Sequence, residues 1–211
     1  MLNRAVARAQ IFDKPLDSAA FEKVLPQAKA EGPRRRLADS VLPNPCHLLL
    51  WPYADGDRSA FLHWLTRTHT QRWPAPHHPA RTGPLYPGRF KSLPVPEDEH
   101  LLAVCRYGER NPLPAHLVPQ ADTWRWCSRW HRVKGSAERL LDAWPVASPP
   151  NWLEQVQEPP SEAALAARRR GGLRGSPEAA APWQVATAAQ LGLQATLRAR
   201  GRPRVLPPGQ G

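Results

Sequence analysis

The chain has 211 residues, a formal net charge of +11 and a sequence pI near 10.6, so a polyanionic partner is favoured. Hydrophobic residues make up 41% of the chain, enough for one folded domain, whereas 26 prolines are more than twice ordinary usage and predict long irregular stretches. No apolar run approaches the ~20 residues that cross a bilayer, and the three cysteines lie far apart without a CxxC pair. These features exclude a membrane-spanning helix, a disulfide framework and a zinc knuckle, and they favour a cytoplasmic protein.

The first part of the chain predicts two helices around two strands. Apolar spacing predicts an amphipathic helix over 16–31, which Pro26 should kink or shorten. Strands are predicted over 36–42 and 47–51, and the second is leucine-rich on both faces, as expected for a central strand. A second helix is predicted over 58–73.

A loop rich in proline and histidine follows over 74–87, and then a short strand over 89–95. A third helix is predicted over 97–110, with acidic residues in its first turn and Pro112 beyond its end. This order of elements predicts an α+β domain, ferredoxin-like or RRM-like, with an antiparallel sheet and helices on one face.

The C-terminal part has a different composition. We expect a folded domain over 1–144, a proline-rich linker over 145–160 and a basic, partly disordered tail over 161–211. The tail carries eight arginines against two glutamates, and short helices are predicted near 162–170 and 182–191. We therefore expect the tail to bind DNA phosphates.

Three segments carry a family resemblance. They are residues 42–51 (Leu-Pro-Asn-Pro-Cys-His-Leu-Leu-Leu-Trp), 83–92 (Gly-Pro-Leu-Tyr-Pro-Gly-Arg-Phe-Lys-Ser) and 105–113 (Cys-Arg-Tyr-Gly-Glu-Arg-Asn-Pro-Leu). In this order and spacing, with Trp124-Arg125-Trp126 and the basic C-terminus, they resemble the REP-associated tyrosine transposases, a branch of the HUH single-strand endonucleases. The resemblance covers most of the chain.

The resemblance implies a metal-assisted nick in single-stranded or hairpin DNA. In such proteins a strand presents His-x-His to a divalent cation, Mg²⁺ or Mn²⁺, and a tyrosine attacks the phosphodiester to give a phosphotyrosine link and a free 3′-hydroxyl. The matching nucleophile here is Tyr107, and the matching metal ligands are His47 and Asn111. The implied DNA-binding residues are Asn3, Arg4, Arg89, Lys91, Arg200, Arg202 and Arg204.

The sequence departs from the family pattern at the metal site. Pro45 stands where the first histidine is expected, and Cys46 points to the opposite face of the strand, so it cannot replace that histidine. Losing one ligand should weaken metal affinity by at least the ~10–100-fold that follows loss of an outer partner. The opening Met1-Leu2-Asn3-Arg4 is also short compared with the family, which implies a truncated first strand.

Two function hypotheses follow. The first is an enzyme that nicks and rejoins hairpin DNA, which Tyr107, Asn111 and Arg89 favour. The second is a non-catalytic DNA-binding remnant of a mobile element, which Pro45 favours. An RNA-hairpin binder is a third possibility, although the aromatic sheet motif of that class is missing. The sequence is compatible with a monomer or a dimer.

Other features have a structural interpretation beside the functional one. Tyr107 alone would be typical of a packed helix, and Trp124, Trp126 and Trp130 are more typical of core anchors than of base-stacking platforms. The segment 200–204 (Arg-Gly-Arg-Pro-Arg) resembles an AT-hook core that enters the minor groove, or it is a basic tail that binds any phosphate.

Overall fold

A computed structural model describes residues 2–3, 11–28, 34–44, 46–73, 85–86, 90–136 and 141–198. These residues form one three-stranded sheet with helices around it, which confirms the α+β class. The elements are β1 (Leu2–Asn3), α1 (Pro15–Ala28), β2 (Arg34–Val41), β3 (Cys46–Pro52), α2 (Asp57–Arg72), α3 (Glu99–Arg110), a 3₁₀ turn (Ala121–Thr123), α4 (Ser128–Val133), α5 (Trp152–Gln157), α6 (Glu162–Arg174), α7 (Ala181–Gln190) and α8 (Gln194–Leu197).

The sheet has the order β1–β3–β2, and both pairings are antiparallel. The strand β3 is therefore central, as the apolar run in the sequence predicts. His47 on β3 lies opposite Leu2 on β1 and opposite Ser40 on β2. The pairing of β2 with β3 shifts between Arg36 and Ala38, so Leu37 is an extra residue on β2, a β-bulge.

The two faces of the sheet contact different helices. Cys46 and Leu48 point into a core with Phe21 of α1 and Phe61 of α2. Leu49, on the alternate face, packs against a second core that includes residues of α3 and α5. Helices therefore cover both faces, whereas the sequence predicted helices on one face only. The hydrophobic pattern identified the helices but carried no information about which face each would cover.

The segment 145–160 differs from the predicted linker. It contains α5, whose Trp152 and Val156 are buried in the second core with Leu101 and Cys105 of α3. Prolines flank this short helix instead of preventing it. The division of the chain into a domain and a tail stays a prediction.

The prediction of a strand over 89–95 is wrong for the described residues of that range, 90–95. Lys91 forms a single bridge, and 92–96 have no regular secondary structure. The proline residues Pro94 and Pro96 explain the difference, because proline cannot donate a ladder hydrogen bond.

The sequence excluded a membrane-spanning helix and a disulfide framework, and the structure bears on both. No helix within the described ranges is both long enough and apolar enough to cross a bilayer. Cys46, Cys105 and Cys127 are buried free thiols, and burial raises the pKa of Cys46 to about 12. They are therefore inert core residues.

Candidate active site

Tyr107 and His47 come together between α3 and the central strand. His47 lies on the face of β3 that packs against α3, and Tyr107 is on α3, half-buried. Their ring centroids are 5.9 Å apart, and the rings are nearly perpendicular, at 82°. The fold thus places side by side the two residues that different sequence motifs assigned to one site.

A buried carboxyl group fixes the orientation of α3. Glu109 is fully buried and accepts hydrogen bonds from the Ser128 hydroxyl of α4 and from the Trp152 indole of α5, both at 2.8 Å. Burial raises the pKa of Glu109, and the two hydrogen bonds oppose that rise. Because these bonds come from two neighbouring helices, they fix the rotation of α3 and with it the direction of Tyr107.

Two arginines of α3 bind the end of α5. Arg106 donates to the Glu158 carbonyl at 2.8 Å, and Arg110 donates to the Val156 carbonyl at 3.1 Å and to the Gln157 carbonyl. Cations at the C-terminus of a helix satisfy its last carbonyls and its dipole. These charges therefore stabilise the packing of α5 on α3.

A third arginine reaches Tyr107 from α6. The Arg168 guanidinium lies over the Tyr107 ring, 5.3 Å from its centroid. It donates to the Ala103 carbonyl at 2.6 Å and pairs with Glu178 at 2.9 Å, and 15% of its side chain is exposed. Burial lowers the pKa of Arg168, while the charge of Glu178 opposes that shift.

Sequence reasoning missed Arg168 as a site residue. It assigned the residue only to the basic tail, within a run of three arginines on a predicted helix. Its contact with Tyr107 joins segments far apart in the chain, and no local pattern predicts such a contact.

The segment 91–94 also holds α6 in place. Lys91, predicted to bind DNA, is exposed and donates to the Leu173 carbonyl at 3.3 Å. The backbone N–H of Glu178 donates to the Pro94 carbonyl at 3.0 Å. Gly175 ends α6 with φ of +71°, and a Cβ there would lie 2.9 Å from the Ser92 carbonyl oxygen, so glycine is required by both conformation and space.

Asn111 follows α3 as its C-cap, one turn beyond Tyr107. Its side-chain Nδ2 is buried and has no hydrogen-bond partner within the described residues. Ser40, the residue paired with His47, has a buried hydroxyl that also lacks a hydrogen-bond partner within the described residues. Buried polar atoms without a hydrogen-bond partner are uncommon in folded proteins.

The described histidine, cysteine and carboxylate side chains form no three-membered metal-binding group around Tyr107. Among the described residues, the one group of three close metal-ligating side chains is Asp98, Glu99 and His100, at the start of α3, and no such group includes His47. Mg²⁺ and Mn²⁺ prefer oxygen ligands, carboxylates above all. The metal therefore stays a prediction of the resemblance.

Several predicted site residues lie outside the described residues. These are Arg4, Arg89, Arg200, Arg202 and Arg204, and Pro45 is outside them as well. Asn3 is described only by its backbone, which pairs with Cys46 in β1. Their predicted roles stay predictions.

No protein-family profile matches the chain, and no curated protein matches it. Among solved structures, it is similar to a REP-associated tyrosine transposase bound to a REP hairpin, with 15% identity and a TM-score of 0.48. The match covers 70% of this chain and 83% of that one. At this identity and TM-score, the likeness does not identify which residues of this chain act on DNA.

Proposed function

We propose that this protein binds single-stranded or hairpin DNA and is of the tyrosine-transposase type, with Tyr107 as the residue placed to attack a phosphodiester. The observation that carries the proposal is the contact of Tyr107 with His47, 5.9 Å between ring centroids. The motif resemblance assigns both residues to one nicking site, and the net charge of +11 suits a nucleic-acid partner.

The proposed nicking reaction can be described with residues of this chain. The Tyr107 oxygen forms a bond to phosphorus, the bond from phosphorus to the 3′-oxygen breaks, and solvent protonates that oxygen. The phenol must lose its proton, which passes to solvent. Phenol is a poor nucleophile because its ordinary pKa is ~10, so the site needs a positive charge to assist.

The second candidate is a DNA-binding remnant that does not nick. It is favoured by Pro45 in the sequence and by the described side chains, which form no three-membered metal-binding group around Tyr107. Under this alternative the protein binds DNA with the same salt dependence, but Tyr107 forms no covalent link. The two candidates differ only in cleavage.

A binding titration with a fluorescent hairpin oligonucleotide tests DNA binding. We expect affinity to fall steeply as salt rises, because each phosphate contact releases counterions. Deleting 199–211 removes three arginines and should lower the salt slope, while the docked α6 remains. Deleting 161–211 should lower it further without unfolding the first 130 residues. An unchanged slope in both deletions would contradict a role of the tail in phosphate binding.

A nicking assay decides between the two candidates. We expect little or no cleavage of hairpin DNA by the natural sequence with Mg²⁺ or Mn²⁺. The Pro45→His substitution should restore a pair of imidazoles on one face of the strand, together with cleavage and a covalent protein–DNA adduct. The adduct should be absent in a Pro45→His, Tyr107→Phe double variant, because phenylalanine lacks the nucleophilic oxygen. An adduct that persists there would exclude Tyr107 as the nucleophile.

A further inference from the structure

The Arg168 guanidinium of α6 lies over the Tyr107 ring, 5.3 Å from its centroid. We infer that Arg168 is the phosphate-binding cation of this site, contributed by α6 to a tyrosine of α3. The inference rests on the proposed function for its ligand, a phosphodiester of single-stranded nucleic acid. It also assigns α6 to the site itself, whereas the sequence assigned this helix to a separate tail.

The first support is the geometry of the guanidinium. Its plane can present five N–H donors in a fixed fork that matches two phosphate oxygens. The described contacts use Nη1 once, on the Ala103 carbonyl, and Nη2 once, on Glu178. The two contacts fix the group beside the Tyr107 ring and leave further N–H donors for an anion.

The second support is the charge of the site. A guanidinium stays protonated at neutral pH, and only 15% of this side chain is exposed. One carboxylate, Glu178, offsets the charge, and it is itself mostly buried, with 18% exposed. Arg106 and Arg110, on α3 itself, bind the carbonyls of 156–158. Within the described residues, Arg168 is therefore the cation in contact with the Tyr107 ring.

The third support is the chemistry of the proposed reaction. Attack by a phenol on a phosphodiester needs positive charge to offset the charge that develops on the phosphate oxygens. An arginine can supply part of this charge through hydrogen bonds to those oxygens, and these bonds suffice to bind a phosphate. The ligand chemistry is a phosphate group, which can come from a nucleic-acid backbone or from free phosphate.

The experiment follows Tyr107 by NMR in the full chain labelled with ¹³C at its three tyrosine rings. The Tyr107 signal is the one lost in Tyr107→Phe. A short single-stranded oligonucleotide is titrated in buffer with a metal chelator, and inorganic phosphate is titrated in a parallel series. We expect the oligonucleotide to shift the Tyr107 signal saturably, without any metal.

Substitutions then separate phosphate binding from a structural role. Arg168→Gln should weaken the oligonucleotide affinity read at Tyr107 by about tenfold or more, the effect of losing a charge-assisted hydrogen bond. Arg169→Gln is the matched control, because this exposed neighbour on the same helix carries the same charge. It should change that affinity by about twofold or less. Equal effects of the two substitutions would overturn the inference, since they would reflect net charge alone.

Arg168 also tethers α6, so folding is checked in the same spectra. The Tyr86 signal reports the packed core, because its hydroxyl lies 2.7 Å from His69. If Arg168→Gln loses that signal, the oligonucleotide affinities of Arg168→Lys and Arg169→Lys are compared instead. Lysine keeps the positive charge but lacks the paired N–H donors of the guanidinium. A weaker affinity for Arg168→Lys alone supports the inference, and equal affinities overturn it.

The outcomes also separate this inference from the proposed function. The Tyr107 signal could shift with inorganic phosphate, and only when Arg168 is present, but not with the oligonucleotide. That result would support the phosphate site and overturn the nucleic-acid function. Oligonucleotide binding seen by fluorescence without any response at Tyr107 would support DNA binding and overturn the role of Arg168.

Discussion

The two faces of the sheet are built with different kinds of contact. On one face, α1 and α2 pack through aromatic and aliphatic side chains, among them Phe21, Phe61 and Leu65. On the other face, α3 packs in the second apolar core and is also held by hydrogen bonds to a buried carboxyl group, Glu109, from α4 and α5. Apolar packing is non-directional, whereas hydrogen bonds fix an orientation. The candidate site lies on the face where orientation is fixed.

This difference has a consequence for how each face responds to change. The α1–α2 face should be sensitive to loss of volume. The α3 face should be sensitive to loss of individual polar atoms, even when volume is preserved. The following predictions test that distinction, beginning with the largest expected effect.

The largest effect is expected from Phe61→Ala. The Phe61 ring is buried, 2% exposed, and the Arg34 guanidinium stacks on it at 3.7 Å. Removing it should lower the free energy of unfolding by about 3–5 kcal/mol, measured by urea denaturation. The control is Tyr53→Ala, because Tyr53 is 63% exposed and its loss should cost about 0.5 kcal/mol or less. A cost below about 1 kcal/mol for Phe61→Ala would contradict an apolar basis for this face.

On the α3 face, Glu109→Ala should cost about 2–4 kcal/mol, because it leaves the Ser128 hydroxyl and the Trp152 indole unpaired in the interior. Glu109→Gln should cost less, since the amide can accept from Trp152 and donate to Ser128. Urea denaturation of both variants measures the difference. If the two substitutions cost the same, the hydrogen bonds do not hold α3.

The two faces should also respond to pH with opposite signs. Burial lowers the pKa of His69, on α2, to about 4, so the folded state holds this histidine neutral. Its pKa when unfolded is near 6.5, so the unfolded state binds more protons between these values, and stability is lost as pH falls from 6.5 towards 4. The loss should reach about 3 kcal/mol at most. Glu109 has a raised pKa, so its contribution is lost as pH rises above 4.5.

Paired variants separate these two contributions. His69→Phe keeps the ring contacts with Phe12 and Phe21 and should remove the loss of stability between pH 6.5 and 4. Glu109→Gln should become more stable relative to the natural chain as pH rises. Denaturation midpoints across this pH range measure both, and parallel pH profiles for all three proteins would contradict the assignment.

The smallest effect is expected at the N-terminus of α3. The Asp98 carboxylate accepts a hydrogen bond from the His100 backbone N–H at 2.8 Å, and Asp98→Ala should cost about 1 kcal/mol. Asp98→Asn retains the acceptor and is the matched control. Denaturation of the two variants tests whether α3 is capped by this residue, and an equal cost for both would show that charge, not the hydrogen bond, matters there.

Local patterns in the sequence predicted the regular elements well. The observed α2, Asp57–Arg72, lies within one residue of the predicted 58–73 at each end, because apolar spacing marks a helix with one buried face. The expected helix over 162–170 proved longer, since it continues to Gly175, where a positive φ ends it. The proximity of His47 to Tyr107 was predicted from the family motifs and not from the spacing of apolar residues.

Tertiary contacts account for what the sequence did not predict. Trp152 and Val156 lie among prolines, and composition alone favours a linker there, whereas burial against α3 stabilises a short helix. The position of Arg168 over Tyr107 depends on how α6 docks, which involves Lys91, Pro94 and Gly175. No periodicity within a short segment contains that information.

The β-bulge at Leu37 marks a position where β2 can lose one residue without exchanging its two faces. Side chains alternate along a strand, so deleting one residue from a regular stretch such as Asp39–Val41 would exchange the two faces for everything on one side of the deletion. Deleting Leu37 would not, because Arg36 already pairs with Leu50 and Ala38 with Leu49. That deletion would cost the buried Leu37 side chain but keep every other residue on its own face. Position 37 is thus where β2 can change length without reversing its faces.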